Sequence, residues 1–365
     1  MRTRDDLRQL QALPLELKIS MTRRRIREWV REYGIDGVYV SFSGGKDSTV
    51  LLHIVREMYP EVEAVFVNTG LEYPEIQAFV KSFDNVTILR PKMRFDEVIK
   101  KYGYPIISKE ISEKIRGART SIAMGSYTLR LRQLGVSEKE YGGLTAKHNA
   151  IYHPTSMFNC EKYRPLIDTD FSISEECCNE MKKKPAQEYE RATGKKPLIG
   201  QLAAESKKRT QAWLNTGCNA FEAKRPQSNP MAFWTEQDVL QYIKRYEIPI
   251  ASVYGSIEYA TEPEQVRWSE IAPELAVFES KEQQQLKTTG CDRTGCIFCA
   301  FGCHLEKEPS RFQHLKETHP RQYQYCIDGG EYDEAGVWKP NKQGLGMGHV
   351  FDELNKIYGE GFIKY

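Results

Sequence analysis

The 365-residue sequence has no uninterrupted apolar stretch of the ~20 residues that a bilayer-crossing helix needs, which argues against a membrane-spanning protein. Its opening residues, MRTRDDLRQLQALPLELK, carry no apolar segment behind the basic ones, so they do not read as a secretory leader, and the expected compartment is the cytoplasm. Charge of one sign is also scarce. The 52 Lys and Arg against 50 Asp and Glu leave a net charge of +2, too little to demand a nucleic-acid partner. No internal repeat or low-complexity tract divides the chain. Cysteine is the exception. Nine occur, an odd number, and several crowd between Cys291 and Cys303; without a leader, that pattern points to metal or redox chemistry rather than to a disulfide framework.

At the usual ~150 residues per domain, the chain holds one large domain or about two, with room for a substantial core. Ile26, Trp29, Val30 and Tyr33 recur at helical spacing, and Gly34 follows where a helix C-cap is wanted. GVYVSFS then reads as a buried strand, and Val50, Leu51, Ile54 and Val55 as one face of a helix. AVFVN and VTIL read as a second and third strand, separated by a helix that Pro74 opens and whose buried stripe is Ile76, Phe79, Val80 and Phe83. This alternation predicts right-handed βαβ units, so that residues from about 20 to 115 form a doubly wound α/β core around a parallel sheet.

The stretch from about 117 to 165 is polar, tyrosine-rich and weakly periodic, and is expected to be an irregular insertion or lid. A helix is expected from Ser174 through Cys177 and Cys178, kinked or ended by Pro185. KPLIGQLAAES reads as a buried strand and a turn. Thr235 and Asp238 form a capping box, with Trp234 and Val239 as its hydrophobic staple, for the helix of WTEQDVLQYIKRY. Residues 1–255 are expected to form the α/β domain, and residues 256–365 a cysteine-containing C-terminal module and tail.

The chemistry gathers in YVSFSGGKDSTVLLHI. Ser43, Gly44 and Gly45 follow a strand, and Ser48 and Thr49 stand at a helix entrance, so backbone N–H groups converge where the helix carries about half a unit of positive charge. Phosphate suits that spot, and the glycines allow it close to the backbone. Lys46 adds a point charge, and Asp47 can help hold a magnesium ion bridging phosphate oxygens. The GxxxxGK spacing of a Walker A loop is absent.

Ser43, Gly44, Gly45, Asp47 and Ser48 meet the pattern SGGxDS in full, and the string resembles the PP-loop of the adenine nucleotide alpha hydrolase superfamily. Within it the chain is most similar to the phosphoadenosine phosphosulfate (PAPS) reductase branch, which includes ATP sulfurylase small subunits, iron-sulfur adenylylsulfate reductases and DNA phosphorothioation proteins. FVNTGLEYPE resembles the branch's second-strand motif, with Asn68 where aspartate is common, and FWTEQDVLQYI its tryptophan helix. ISEECCNEMKKKP and TGCIFC resemble its two cysteine-pair motifs, and GQLAAESKKR the segment whose serine and arginine meet the nucleotide or its sulfate. The resemblance implies a loop that grips the pyrophosphate of ATP while the alpha-phosphate is attacked; the reductases of the branch bind a sulfonucleotide instead and need not split ATP. It assigns nucleotide contacts to Ser41, Ser43, Gly44, Gly45, Lys46, Asp47, Ser48, Thr69, Gly70 and Ser206, and catalytic roles to Lys46, Asp47 and Arg209.

The same resemblance implies that Cys177, Cys178, Cys296 and Cys299 hold a 4Fe-4S cluster. A rival set is local: Cys291, Cys296, Cys299 and Cys303 form a tetrad that suits either zinc or an iron-sulfur cluster. Cys160, Cys218 and Cys326 are isolated and read as buried. The reductases of the branch end in an ECGxH tail that bears the nucleophilic cysteine, whereas this chain ends GHVFDELNKIYGEGFIKY; Cys303 and His304 are a partial echo. The leading expectation is therefore a PP-loop enzyme that uses Mg-ATP to activate an acceptor in sulfur transfer or modification, alongside a cluster. The alternatives are a sulfonucleotide reductase and a nucleotide- and cluster-binding component of a DNA or RNA modification complex, docked through the basic run from Arg23 to Arg31. A sulfur-donor or electron-donor protein is the expected protein partner.

Overall fold

The computed structural model describes residues 2–137, 155–156, 158–260 and 285–365. In chain order, α1 (Arg4–Gln11) and α2 (Leu15–Tyr33) lead into β1 (Val38–Ser41), α3 (Lys46–Met58), β2 (Ala64–Val67), α4 (Pro74–Lys81) and β3 (Val86–Leu89). Next come α5 (Phe95–Tyr102), β4 (Ile106–Ile107), α6 (Lys109–Ala123), α7 (Leu129–Gln133) and α8 (Lys184–Thr193). The chain continues with β5 (Lys196–Ile199), α9 (Lys207–Thr216), β6 (Asn219–Ala220), β7 (Gln227–Ser228) and α10 (Glu236–Arg245). It then forms β8 (Ile257–Tyr259), β9 (Leu286–Thr288), β10 (Ala300–Phe301), α11 (Arg311–Thr318), α12 (Pro320–Ile327), β11 (Glu331–Tyr332), β12 (Trp338–Lys339) and α13 (Met347–Tyr358).

Contacts divide the chain into two compact units, each assembled from separate segments. One comprises residues 1–68, 72–89 and 186–294, the other residues 69–71, 90–185 and 295–365. The division differs from a single cut near residue 255. The sheet takes β1 to β3 from before residue 90 and its remaining strands from beyond residue 195, and the residues between, 90–185, fall to the other unit.

In the first unit the strand order is β3-β2-β1-β5-β7-β6. All neighbours are parallel except the last pair, in which β6 runs antiparallel to β7. The doubly wound α/β class expected from the sequence is thus the class observed. Val50, Leu51, Ile54 and Val55 of α3 are fully buried, as are Ile26 and Trp29 of α2, each worth about 1.5–3 kcal/mol of burial for an aliphatic side chain. Thr235 caps α10 by accepting the Asp238 N–H, and the Asp238 carboxylate accepts the Thr235 N–H in return. That carboxylate also receives Lys18 Nζ at 2.6 Å, and Trp234 Nε1 donates to Thr22 Oγ1 at 2.9 Å, so α2 and the start of α10 are joined by two buried polar contacts.

In the second unit, β4 pairs in parallel with β10 rather than joining the main sheet, so the α/β core expected to run to residue 115 ends earlier. The insertion expected to be irregular from 117 carries α6 to Ala123, then α7 and a 3-10 helix at Glu161–Asp168; residues 138–154 and 157 lie outside the described residues. Its helicity is masked in the sequence because the buried face of α6 mixes Ser112, Lys114 and Ser121 with Ile111, Ile115 and Ala118. Pro185 does not end its helix. A π-helix at Asn179–Lys183 precedes it, and that widened turn relieves the clash a proline ring makes with the carbonyl four residues back. None of the described helices is long and apolar enough to cross a membrane.

Breaking the Lys18–Asp238 pair from one side should be costly, because the lysine side chain is 2% exposed and the remaining charge would stay buried. Lys18→Ala is expected to lower the unfolding free energy by about 3–5 kcal/mol in urea melts. A loss below about 1 kcal/mol, the range of a solvent-exposed pair, would show that water reaches the site.

Candidate functional site

β1 has β2 on one side and β5 on the other, so the order of the sheet reverses at its carboxyl end. Ligands of open α/β sheets bind in the crevice at such a reversal. Gly44 turns the chain there with φ at 72°, and a Cβ at this position would lie 2.8 Å from Val80 Cγ2 and 2.9 Å from Ile76 Cγ2. Both conformation and space therefore call for glycine. Gly45 is the N-cap of α3 and supplies no side-chain cap. Ser48 Oγ braces the turn by accepting the Ser43 N–H at 3.1 Å and donating to the Gly45 carbonyl at 2.9 Å, to which Thr49 Oγ1 also donates.

Beyond this turn lies a cavity of about 200 Å³, walled by Ser43, Gly45, Lys46, Asp47 and Ser48 on the β1 side. Gly200, Leu202, Glu205 and Arg209 face it from the segment after β5, and Glu236, Tyr254, Asp292, Arg293 and Thr294 complete it. Gly200 is another close approach, since a Cβ there would stand 2.8 Å from the Asp47 carbonyl oxygen.

Three cations face this space. Lys46 Nζ donates to the Asp292 carbonyl at 2.7 Å, lies 3.3 Å from Glu236 Oε1 and sits 5.2 Å above the Tyr254 ring. Arg209 pairs with Glu205, which Arg293 approaches at 3.6 Å. Burial pushes the Arg209 guanidinium below its ordinary range, and the like charge of Arg293 adds to that. Burial also pushes the Asp47 carboxyl up, against the pull of Lys46 and Arg293. Tyr254 receives the Lys46 N–H at 3.4 Å and shares a 2.5 Å hydrogen bond with Thr294 Oγ1; burial raises its hydroxyl to about 12.

Of the residues singled out in the sequence, Ser43, Gly45, Lys46, Asp47, Ser48 and Arg209 line this cavity. Ser41 is the last residue of β1, and Gly44 packs toward α4. Ser206 caps α9, its hydroxyl accepting the Arg209 N–H at 3.3 Å. Thr69 and Gly70 belong to the second unit, where Thr69 Oγ1 accepts the Leu71 N–H. Sequence reasoning missed Tyr254, Asp292, Arg293 and Thr294. The DRT triplet just before the last cysteine motif was the signal available.

In the second unit, Cys177, Cys178, Cys296 and Cys299 line one cavity of about 20 Å³ together with Leu71, Phe95, Pro105, Met181 and Lys182. The Cys299 N–H donates to the Cys296 carbonyl, which makes their CxxC a tight turn. Cys177 and Cys178 share a hydrogen bond that raises the first thiol and lowers the second, and Lys109 and Lys182 further favour thiolate at Cys178. Among the described residues, no three His, Cys, Asp or Glu side chains stand in an arrangement ready to hold a metal ion. Four thiols on one cavity are nonetheless the donor set that an iron-sulfur cluster or zinc takes.

Cys291 and Cys303 of the rival tetrad are not among the residues that line this cavity. Cys291 belongs to the first unit, where its thiol meets Tyr73. Cys303 is 3% exposed, its Sγ donates to the Ala300 carbonyl at 3.0 Å, and burial pushes its thiol up to about 12. An accessible nucleophile at Cys303, one route to reductase chemistry, is therefore not what the fold provides. The basic run on α2 is also partly spent, with Arg23 paired to Glu57 and both Arg24 and Arg25 to Glu28.

The family model for the phosphoadenosine phosphosulfate reductase domain matches residues 37–110 and 139–301. An adenosine 5'-phosphosulfate reductase of Staphylococcus haemolyticus is 23% identical over 290 residues, covering 78% of this chain and 87% of that protein. An uncharacterized protein of Methanocaldococcus jannaschii is 37% identical over 73 residues, and this match spans only 19% of the chain and 18% of that relative's length. A solved PAPS reductase from Candida auris, in its phosphate complex, aligns over 70% of this chain and 95% of its own. With a TM-score of 0.35 and 16% identity, that likeness is too weak to carry a structural argument.

The position of Cys303 can be checked directly. In the folded chain it is expected to resist iodoacetamide at mildly alkaline pH and to react once urea unfolds the protein, as read by peptide mass mapping. Ready labelling of the native protein would contradict its burial.

Proposed function

The chain belongs to the phosphoadenosine phosphosulfate reductase domain family, and we propose that it is an adenine-nucleotide enzyme of sulfur chemistry that acts at the alpha-phosphate of ATP to activate an acceptor. One observation carries this reading: the β1–α3 turn and the cations Lys46, Arg209 and Arg293 face a single cavity at the sheet's switch point.

In this reading the nucleotide's phosphates lie against the first turn of α3, whose amide groups and dipole favour negative charge. Lys46 exchanges the Asp292 carbonyl and Glu236 for phosphate oxygens. Arg209 and Arg293 exchange Glu205 for charge building on the leaving pyrophosphate. Because the cavity is walled by protein, each such donor contributes on the order of 3 kcal/mol to the transition state. Asp47 would hold Mg²⁺, and Ser43 and Ser48 keep the turn in shape. Ser41, Thr69, Gly70 and Ser206 are assigned supporting nucleotide contacts. Cys177, Cys178, Cys296 and Cys299 would hold a 4Fe-4S cluster, which supplies one-electron redox chemistry when bound; zinc is the other metal these thiols suit.

A second reading, reduction of a sulfonucleotide, draws support from the name of the Staphylococcus haemolyticus relative. It needs a thiol that a bound nucleotide can reach, and Cys160, Cys218, Cys303 and Cys326 are all buried, which leaves only Cys291 and the four clustered thiols. The nucleic-acid reading has the least support, since three arginines of its docking face are engaged within the unit.

The test is release of pyrophosphate from Mg-ATP by anaerobically purified protein offered candidate acceptors. Wild type is expected to release it, and Lys46→Met to do so on the order of 10²–10³-fold more slowly. Sulfite formation from PAPS or adenylylsulfate with no pyrophosphate release would establish the second reading instead. Iron and sulfide analysis checks the thiol assignment: Cys177→Ser should lose the metal and Cys291→Ser should keep it.

A further inference from the structure

Outside both cavities, the second unit holds a buried pair of nucleophiles. Lys114, on α6, and Cys160, at the entrance of the 3-10 helix Glu161–Asp168, are 7% and 8% exposed, and Lys114 Nζ lies 3.2 Å from Cys160 Sγ. A carboxylate completes the group, with Glu110 Oε1 at 2.7 Å from the same Nζ. Neither Lys114 nor Cys160 lines the thiol cavity. A lysine side chain is seldom buried without a partner, and this one spends its amine on a sulfur and on a base able to take its proton.

We propose that Lys114 and Cys160 form an oxidation-closed latch, in which peroxide converts the Cys160 thiol to a sulfenic acid and the Lys114 amine condenses with it into a sulfur–nitrogen bond. The first step consumes one hydrogen peroxide and releases one water; sulfur loses two electrons to the peroxide oxygen. In the second, the nitrogen lone pair attacks sulfur, the sulfenic hydroxyl leaves as water, and the surplus ammonium proton passes to Glu110. Condensation of a sulfenic acid with a neighbouring nitrogen is established thiol chemistry, and the contact already holds the two atoms at van der Waals distance.

The environment favours this order of events. Burial works against the Lys114 ammonium, and hydrogen bonds to Glu110 and Cys160 more than offset it, so the resting amine carries its proton. Oxidation removes the support from sulfur. The amine is then left buried with one partner, and that partner is a proton acceptor. Once formed, the bond would fasten α6 to the chain entering the 3-10 helix, whose far end Arg119 of α6 already holds through the Leu166, Ile167 and Thr169 carbonyls.

The experiment treats the full chain with graded hydrogen peroxide, blocks remaining thiols and maps tryptic peptides by mass spectrometry. The peptide Glu110–Arg116 contains no cysteine, so its union with the Cys160 peptide at the summed mass less two hydrogens cannot be a disulfide. That species is expected in wild type, reversible by dithiothreitol. It should be absent from Lys114→Arg, which keeps the cation beside Glu110 but lacks a primary amine, and in which a sulfenic-acid probe should label Cys160. Cys326, buried against Met347 Sδ at 3.5 Å, is the internal control and should form no lysine link. The proposal is overturned if Cys160 advances to sulfinic acid while Lys114 stays free, if Cys160 survives peroxide unmodified, or if the link retains an oxygen atom.

Discussion

The structure depends on how one parallel strand is ended. β1 is buried among its neighbours and must deliver its chain to α3 without an N-cap side chain for that helix, so its first amide, that of Lys46, turns to the distant Tyr254 hydroxyl instead. Such a terminus is stable only if something negative or polar meets it. The remainder of the cavity is arranged around that need. Gly44 permits the turn, Gly200 lets the next strand's exit approach the Asp47 carbonyl, and Ser48 ties the two sides of the loop together.

The sheet's connectivity explains why the cavity has walls from distant segments. The chain moves outward from β1 to β2 and β3, leaves the first unit altogether, and returns as β5 on the opposite side of β1. Each side of the reversal then contributes its own exit loop to the same crevice: the glycine turn after β1, and the segment carrying Glu205, Ser206 and Arg209 after β5. Arg209 is held by α9, whose cap is Ser206, so the serine and the arginine act together through one helix terminus. A serine that orders an arginine in this way has a clear structural task whatever it meets in a bound state.

The parts of this architecture that were legible in the sequence are those whose signals are local. VYVS, AVFV and VTIL are β-branched runs, Val50, Leu51, Ile54 and Val55 recur at helical spacing, and Thr235 and Asp238 announce a helix start. Two-residue strands such as β4, β7 and β10 carry no comparable period, and their pairing is decided by what packs around them. At Pro185 the helix is disturbed and not ended, through a π-turn upstream that is invisible in composition, and α6 was hidden because polar groups occupy half of its buried face. The glycine loop could be read for the same reason the strands could, since its meaning lies in consecutive residues. Tyr254 and Thr294 could not, because their place at the cavity is set by the hydrogen bond between them and by the hold of Gly290 on the Tyr254 carbonyl.

That distant segment bears on energetics as well as geometry. Lys46 already donates to the Asp292 carbonyl and faces Glu236, its own amide points to Tyr254 Oη, and Arg209 and Arg293 both look toward Glu205. Every cation that an incoming phosphate would use is therefore engaged by an internal acceptor, and binding exchanges one set of charge-assisted hydrogen bonds for another instead of creating them from solvated groups. The net gain is the difference between the two sets, which is smaller than the sum of new contacts and more sensitive to ligand charge. A polyphosphate, with several formal charges, can outcompete a carbonyl and two carboxylates where a monoanion would not. On the proposed reading the arrangement would select for the highly charged end of a nucleotide through what that group must displace, and the same internal acceptors offset the mutual repulsion of three neighbouring positive groups.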